Sequence, residues 1–113
     1  MQPAQADSVP LVLQLSEVGL GDVDRVGGKN ASLGQMIQSL DSLGIRVPGG
    51  FAVTAAAYRH FVASAGLQDT IDRGLAEAKV SIEALGPAAK RIRAAMLAAA
   101  LPDALAEAVI DAY

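Results

Sequence analysis

The chain opens on a polar stretch, MQPAQADSVP, whose two prolines and lack of periodicity predict a disordered lead-in over residues 1–10. An apolar run with a β-branched residue follows, LVLQL (Leu11–Leu15), and predicts a short strand. Leu20 to Gly28 is turn-rich, with four glycines counted from Gly19. From Asn30 the period changes. Leu33, Met36, Ile37 and Leu40 recur at i, i+3, i+4 and i+7, one apolar face of a helix. Gly44 stands where a left-handed residue closes such a helix. IRVPGGFAVT (Ile45–Thr54) returns to extended character, with a turn expected at Pro48-Gly49-Gly50.

The second half reads as helices. Thr54 is placed to cap one carrying Tyr58, Phe61, Val62 and Ala65, with Gly66 as its stop. A third runs from Asp69 to Lys79, with Ile71, Leu75 and Ala78 on one side. Residues 81–100 continue the helical pattern. Pro87 does not fit a helix interior, so Gly86-Pro87 marks a kink or a fresh start. Beyond it Ile92, Met96 and Ala99 form the stripe, with Lys90, Arg91 and Arg93 off it as a solvated face. Pro102 opens the last helix at its first position, where a missing N–H is harmless, and Leu105, Val109 and Ala112 face inward. The sum is an α+β chain, mainly helical, with about four to five helices and two or three short strands. Tyr113 stops the last periodic helix without a cap, which predicts that these residues are a piece of something longer.

Composition narrows the picture. At 113 residues there is room for one modest core, and 52% apolar with only 4% aromatic residues makes it a core of Ala, Leu, Val and Ile. The net charge is −3 and the nine basic residues are scattered, which argues against nucleic-acid binding. The absence of cysteine excludes disulfides and thiolate metal sites, and one histidine excludes a multi-histidine site within the chain. No signal peptide or membrane-length apolar run is present, so the expected setting is cytoplasmic, with no membrane partner.

The chemistry concentrates in DVDRVGGKNASLGQM, Asp22 to Met36. A glycine pair before a helix lets backbone N–H groups approach a ligand without a Cβ in the way. The helix start behind it carries unpaired N–H groups and about half a positive charge, which suits a phosphate. Lys29 adds a full charge and three donors. The familiar phosphate templates fail, however. A P-loop ending on Gly28-Lys29 needs glycine at 23 and Ser or Thr at 30, where Val23 and Asn30 stand. The dinucleotide pattern from Gly19 and Gly21 needs glycine at 24, where Asp24 stands. A plain structural turn with a solvated Lys29 is the competing reading.

Other candidates carry less. His60, two residues from Tyr58 and with no neighbouring carboxylate, reads as a surface histidine. Asp22 and Asp24 form a D-x-D pair, but no third metal ligand is suggested, and a solvated pair is the simpler reading.

The motifs VGGKNASLG…M and VP.GF..T..AY..F, carried here by GDVDRVGGKNASLGQMI and GIRVPGGFAVTAAAYRHFV, resemble the phosphoenolpyruvate synthase family (pyruvate, water dikinases). The same nucleotide-binding region is shared with pyruvate, phosphate dikinase and rifampicin phosphotransferase. The similarity continues more loosely through RIRAAM and LPDALAEAVIDAY, so it covers nearly everything after about residue 10. It implies that residues 11–113 are the N-terminal subdomain of an ATP-grasp-like nucleotide-binding domain. Lys29 then matches the lysine that contacts ATP phosphates, and Gly27 and Gly28 match the turn that presents it. The resemblance further implies ATP and pyruvate as ligands of a full enzyme, Mg2+, a phosphohistidine on a separate domain, and the remaining domains of the same polypeptide as partners. His60 does not match the carrier histidine. Gln35 departs from the family's usual glutamate, which puts any role of that carboxylate in doubt. The residues leave room for two other readings: a stand-alone binding or regulatory module, and a dikinase relative acting on an antibiotic or a glucan.

Overall fold

The computed structural model describes residues 9–113, so most of the expected lead-in over residues 1–10 lies outside the described residues. Two compact units are formed. One holds the described residues up to Arg59 together with Asp103–Tyr113, and the other holds His60–Pro102.

The first unit is built on a two-stranded antiparallel ribbon. Strand β1 (Val12–Gln14) pairs with β2 (Phe51–Val53) in the register Val12 to Val53 and Gln14 to Phe51. Leu11–Leu15 is therefore a strand as its apolar run predicts, although Leu15 already enters a 3-10 turn, Leu15–Glu17. The stretch expected to be all turn folds further than that, into a 3-10 turn at Leu20–Asp22 and a one-turn helix α1 (Val23–Val26). Helix α2 (Gly28–Asp41) follows. It ends as predicted at Gly44, whose φ of +78° lets its N–H reach the Asp41 carbonyl while Ile45 N–H reaches that of Leu40. Residues 45–50 run irregularly, without the expected turn at Pro48-Gly49-Gly50. The Gly50 carbonyl instead accepts from the Leu15 N–H at 2.9 Å, so this backbone pairs with the β1 end and not with itself.

The core of this unit is Val18, Val26, Ala31 and Ala52, with Leu13 and Leu15 packed against it. The expected helix face of Leu33, Met36, Ile37 and Leu40 is thus displaced. Ala31 and Gly34 are the buried positions of α2, Leu33, Ile37 and Leu40 are half-buried, and Met36 is 45% exposed. The reason is steric: the chain at residues 15–18 lies directly against the helix backbone, and only small side chains fit between them.

Thr54 starts helix α3 (Ala55–Ser64) as the pattern predicts, accepting from Ala57 N–H at 3.2 Å. Tyr58, expected inside, is 51% exposed, and the neighbouring Ala57 is fully buried instead. Helix α6 (Asp103–Ala112) begins one residue past Pro102 and packs against β1, with Leu105 buried and Val109 and Ala112 half-buried.

The second unit is centred on an antiparallel helix pair, α4 (Gln68–Val80) and α5 (Leu85–Ala98), joined through a 3-10 turn at Ile82–Ala84. Pro87 falls in the first turn of α5, where its missing N–H costs nothing, which is the fresh start expected at Gly86-Pro87. The seam is Gly74 against Ile92 and Ala88. Leu75, expected in the apolar stripe, is 54% exposed, because Ile92 fills the space over Gly74 one position earlier. Lys90, Arg91 and Arg93 are exposed as read, with Arg91 ion-paired to Glu77. Among the described residues no helix is long and apolar enough to cross a membrane.

Candidate functional site

The site grows from the junction of α1 and α2. Asp22 builds the approach: its carboxylate accepts the Gly19 N–H at 2.9 Å, and its own N–H returns to the Gly19 carbonyl, closing the 3-10 turn. Arg25, one turn on, donates its Nε to the other carboxylate oxygen at 3.1 Å. The Gly19 hydrogen bond first, and the Arg25 guanidinium second, hold the Asp22 carboxyl below its ordinary value. Both oxygens of Asp22 are therefore engaged. Among the described residues no three His, Asp or Glu side chains gather to hold a metal ion.

Gly27 makes the turn. Its φ of +85° and ψ of 162° lie in a region that essentially only glycine occupies. Its N–H closes α1 on the Val23 carbonyl at 2.8 Å, and its carbonyl receives the Ala31 N–H at 3.0 Å as the first bond of α2. The start of α2 has no side-chain cap, since glycine has none to offer. Asn30, in the first turn, donates Nδ2 back to the Val26 carbonyl at 3.0 Å. The first-turn N–H groups thus have no side-chain cap, and Lys29 among them is exposed. Such an end attracts anions through its unpaired donors and the helix dipole, and lysine adds a charge there.

Beside this turn lies an open groove of about 370 Å³, lined by Val23, Asp24, Arg25, Val26, Gly27, Val53, Thr54, Ala55 and Tyr58. Gly27 borders it, while Lys29 stands outside its lining. The sequence-selected residues Gly27, Gly28 and Lys29 are thus contiguous at one helix end. His60 is exposed on α3, outside that groove's lining.

Two residues escaped the sequence reading. Gly34 is buried, and a Cβ added there would come within 2.3 Å of the Val18 carbonyl oxygen and 2.6 Å of that of Leu15. Gln38, one turn on, donates Nε2 to the carbonyls of Ser16 at 3.0 Å and Val18 at 2.8 Å. The available signal was the i, i+3, i+7 spacing of Ala31, Gly34 and Gln38, obscured by the larger residues beside them. Gln35, the departure within the motif, places its amide oxygen over Gly19, 2.9 Å from where a Cβ would stand.

Residues 23–113 match the family described as pyruvate phosphate dikinase, AMP/ATP-binding domain. Phosphoenolpyruvate synthase of Pseudomonas aeruginosa is 42% identical over 106 residues, which are 93% of this chain and 13% of that protein. The enzyme of the same name from Neisseria meningitidis is 46% identical over 102 residues, 89% of this chain and 13% of the relative. That from Escherichia coli is 40% identical over 107 residues, 94% and 14% respectively. The chain therefore spans only about an eighth of the length of these relatives. With its glycine-lysine turn inside the matched region, the chain belongs to the pyruvate phosphate dikinase family, as part of its AMP/ATP-binding domain.

Proposed function

We propose that this chain forms one wall of the ATP site of a phosphoenolpyruvate synthase, as the N-terminal part of an ATP-grasp-like domain. Lys29 contacts the nucleotide phosphates, and Gly27 and Gly28 present it and keep the backbone approach open. The observation that supports this most is the uncapped start of α2, offered by a glycine at φ +85° with Lys29 exposed beside it. The full enzyme converts ATP, pyruvate and water to phosphoenolpyruvate, AMP and phosphate through a phosphohistidine borne by a domain other than this one. The setting is cytoplasmic.

Magnesium enters this reading with the nucleotide. Among the described residues the carboxylates do not suit it: Asp22 is committed to Gly19 and Arg25, and no further acidic groups join it to make a set. The protein's share here is donors and a positive charge, which bind and orient phosphate oxygens. Hydrogen bonds to charged groups are worth about 1.5–3 kcal/mol each. One wall cannot supply many, and immobilising a ligand costs at least about 4 kcal/mol. Residues 1–113 alone therefore bind ATP weakly and catalyse nothing.

In the full enzyme, Lys29→Ala slows phosphorylation of the carrier histidine by labelled ATP while the fold survives. Labelling at the normal rate would show that Lys29 has no such role. Calorimetric titration of residues 1–113 with Mg-ATP gives no micromolar dissociation constant; finding one would refute the partial-site reading.

A further inference from the structure

We propose that Gly34 and Gln38 are positioning residues for the glycine-lysine turn, acting through helix α2 by fixing where its amino end stands on the β1–β2 ribbon. Neither faces the turn itself. The proposal rests on the reading of Lys29 as a phosphate contact, and deepens it by naming what holds that contact in place.

The buried core around α2 is Val18, Val26, Ala31 and Ala52, with the partly buried Leu13 and Leu15 packed against it. From α2 itself the buried positions are only Ala31 and Gly34, too small to interlock and stop the helix from sliding or rolling. Location must come from elsewhere, and two contacts supply it on one helix face. At Gly34 the helix backbone meets the Leu15 and Val18 carbonyls so closely that a Cβ would be 2.6 Å and 2.3 Å from them. At Gln38 a single amide nitrogen holds the Ser16 and Val18 carbonyls at 3.0 and 2.8 Å. The clamped segment is itself anchored, since Leu15 N–H bonds the Gly50 carbonyl at 2.9 Å next to the β1–β2 ladder.

Lys29 lies five residues before Gly34 on the same helix, roughly 7.5 Å along its axis at 1.5 Å per residue. A helix this short transmits displacement as a rod. Any shift of the seam at Gly34 therefore moves the first-turn N–H groups and Lys29 by a similar amount. Binding groups are sensitive on that scale, since a misplacement of about 1 Å can cost about a hundredfold in rate.

The test uses the full-length enzyme and four variants. Gln38→Met keeps the side-chain length and removes the donor, Gln38→Lys returns a donor, Gly34→Ala pushes the seam apart, and Lys29→Ala reports on the underlying reading. Each is assayed for labelling of the carrier histidine by ATP labelled at the β-phosphorus. The same histidine is also labelled from phosphoenolpyruvate, a route that needs no nucleotide site and counts intact enzyme. We expect Gln38→Met to raise the half-saturating ATP concentration about fivefold with phosphoenolpyruvate labelling unchanged, Gln38→Lys to restore it, and Gly34→Ala to shift it about tenfold or more. If Gly34→Ala does not fold, the Gln38 pair decides. A Gln38→Met enzyme that melts lower but keeps its ATP half-saturation refutes positioning and leaves the Lys29 reading standing. Normal ATP labelling of Lys29→Ala removes the reading on which positioning rests.

Discussion

The hydroxyl of Thr54 donates to the carbonyl of Pro10 across 2.7 Å, joining positions forty-four residues apart, while its oxygen caps α3 by accepting from Ala57 N–H at 3.2 Å. One small side chain, only 3% exposed, thus ties the entry of β1 to the exit of β2 and starts the next helix. Loss of a cap costs about 0.5–2 kcal/mol, and losing the hydrogen bond to the Pro10 carbonyl adds about 0.5–1.5 kcal/mol. Thr54→Val should destabilise the chain by about 2–3 kcal/mol, lowering its melting temperature by roughly 10 °C or more. Thr54→Ser should keep most of the stability. Equal melting of Thr54→Val and wild type would show that the hydroxyl is not needed.

Gly27 and Gly28 are adjacent but predict opposite outcomes. Gly27 occupies φ +85°, ψ 162°, so Gly27→Ala should cost about 1–3 kcal/mol in denaturant melts. Gly28 is helical, and a Cβ there meets nothing within 4 Å. Gly28→Ala should therefore raise stability by about 0.5–1 kcal/mol. If the proposed phosphate site is right, the same change weakens ATP use in the full enzyme, because the new methyl group crowds the approach. A Gly28→Ala enzyme that is both more stable and unaltered toward ATP would count against backbone contact at that residue.

Asp22 supplies a pH dependence. Its carboxyl is held low by the Gly19 N–H and by Arg25, so folding favours the ionised form. The contribution is complete above the ordinary aspartate value of 3.8 and is lost as pH falls through the lower folded value. Denaturant melts at about pH 6 and about pH 3 should show a smaller acid loss for Asp22→Asn than for wild type. Identical losses would mean that the Gly19–Asp22–Arg25 arrangement does not contribute in solution.

In the helix pair, a Cβ on Gly74 would come within 2.8 Å of Ile92 Cδ1, the flexible end of that side chain. Replacing glycine by alanine inside a helix gains about 1 kcal/mol, which the displaced Ile92 offsets. Gly74→Ala alone should be close to neutral. In an Ile92→Val background, where Cδ1 is gone, the gain should emerge as a favourable coupling of about 0.5–1 kcal/mol in a double-mutant cycle. Strict additivity would show that the two residues do not meet.

The elements were legible because their signals are local. Apolar period placed α3 to α6 and β1, glycine marked the end of α2, Thr54 announced its helix, and Pro87 marked a new start. The Gly27-Gly28-Lys29 stretch was equally legible, as a motif and as a glycine turn entering a helix. Burial was less so. Leu75, Met36 and Tyr58 have the right spacing for a core, yet they stand exposed while Gly74, Gly34 and Ala57 beside them are buried.

What the sequence determined by itself is therefore the order and kind of its longer elements, and the glycine turn that carries Lys29, since both depend on residues near one another in the chain. Only the tertiary structure decided which face of each helix is inside. Close packing selects a small residue where another segment presses in, and that segment lies far off in sequence: the Val18 backbone for Gly34 and the Ile92 side chain for Gly74. An i, i+3, i+4 pattern of large apolar residues marks a helix surface that can be buried. It does not say where another segment will press through a gap between them.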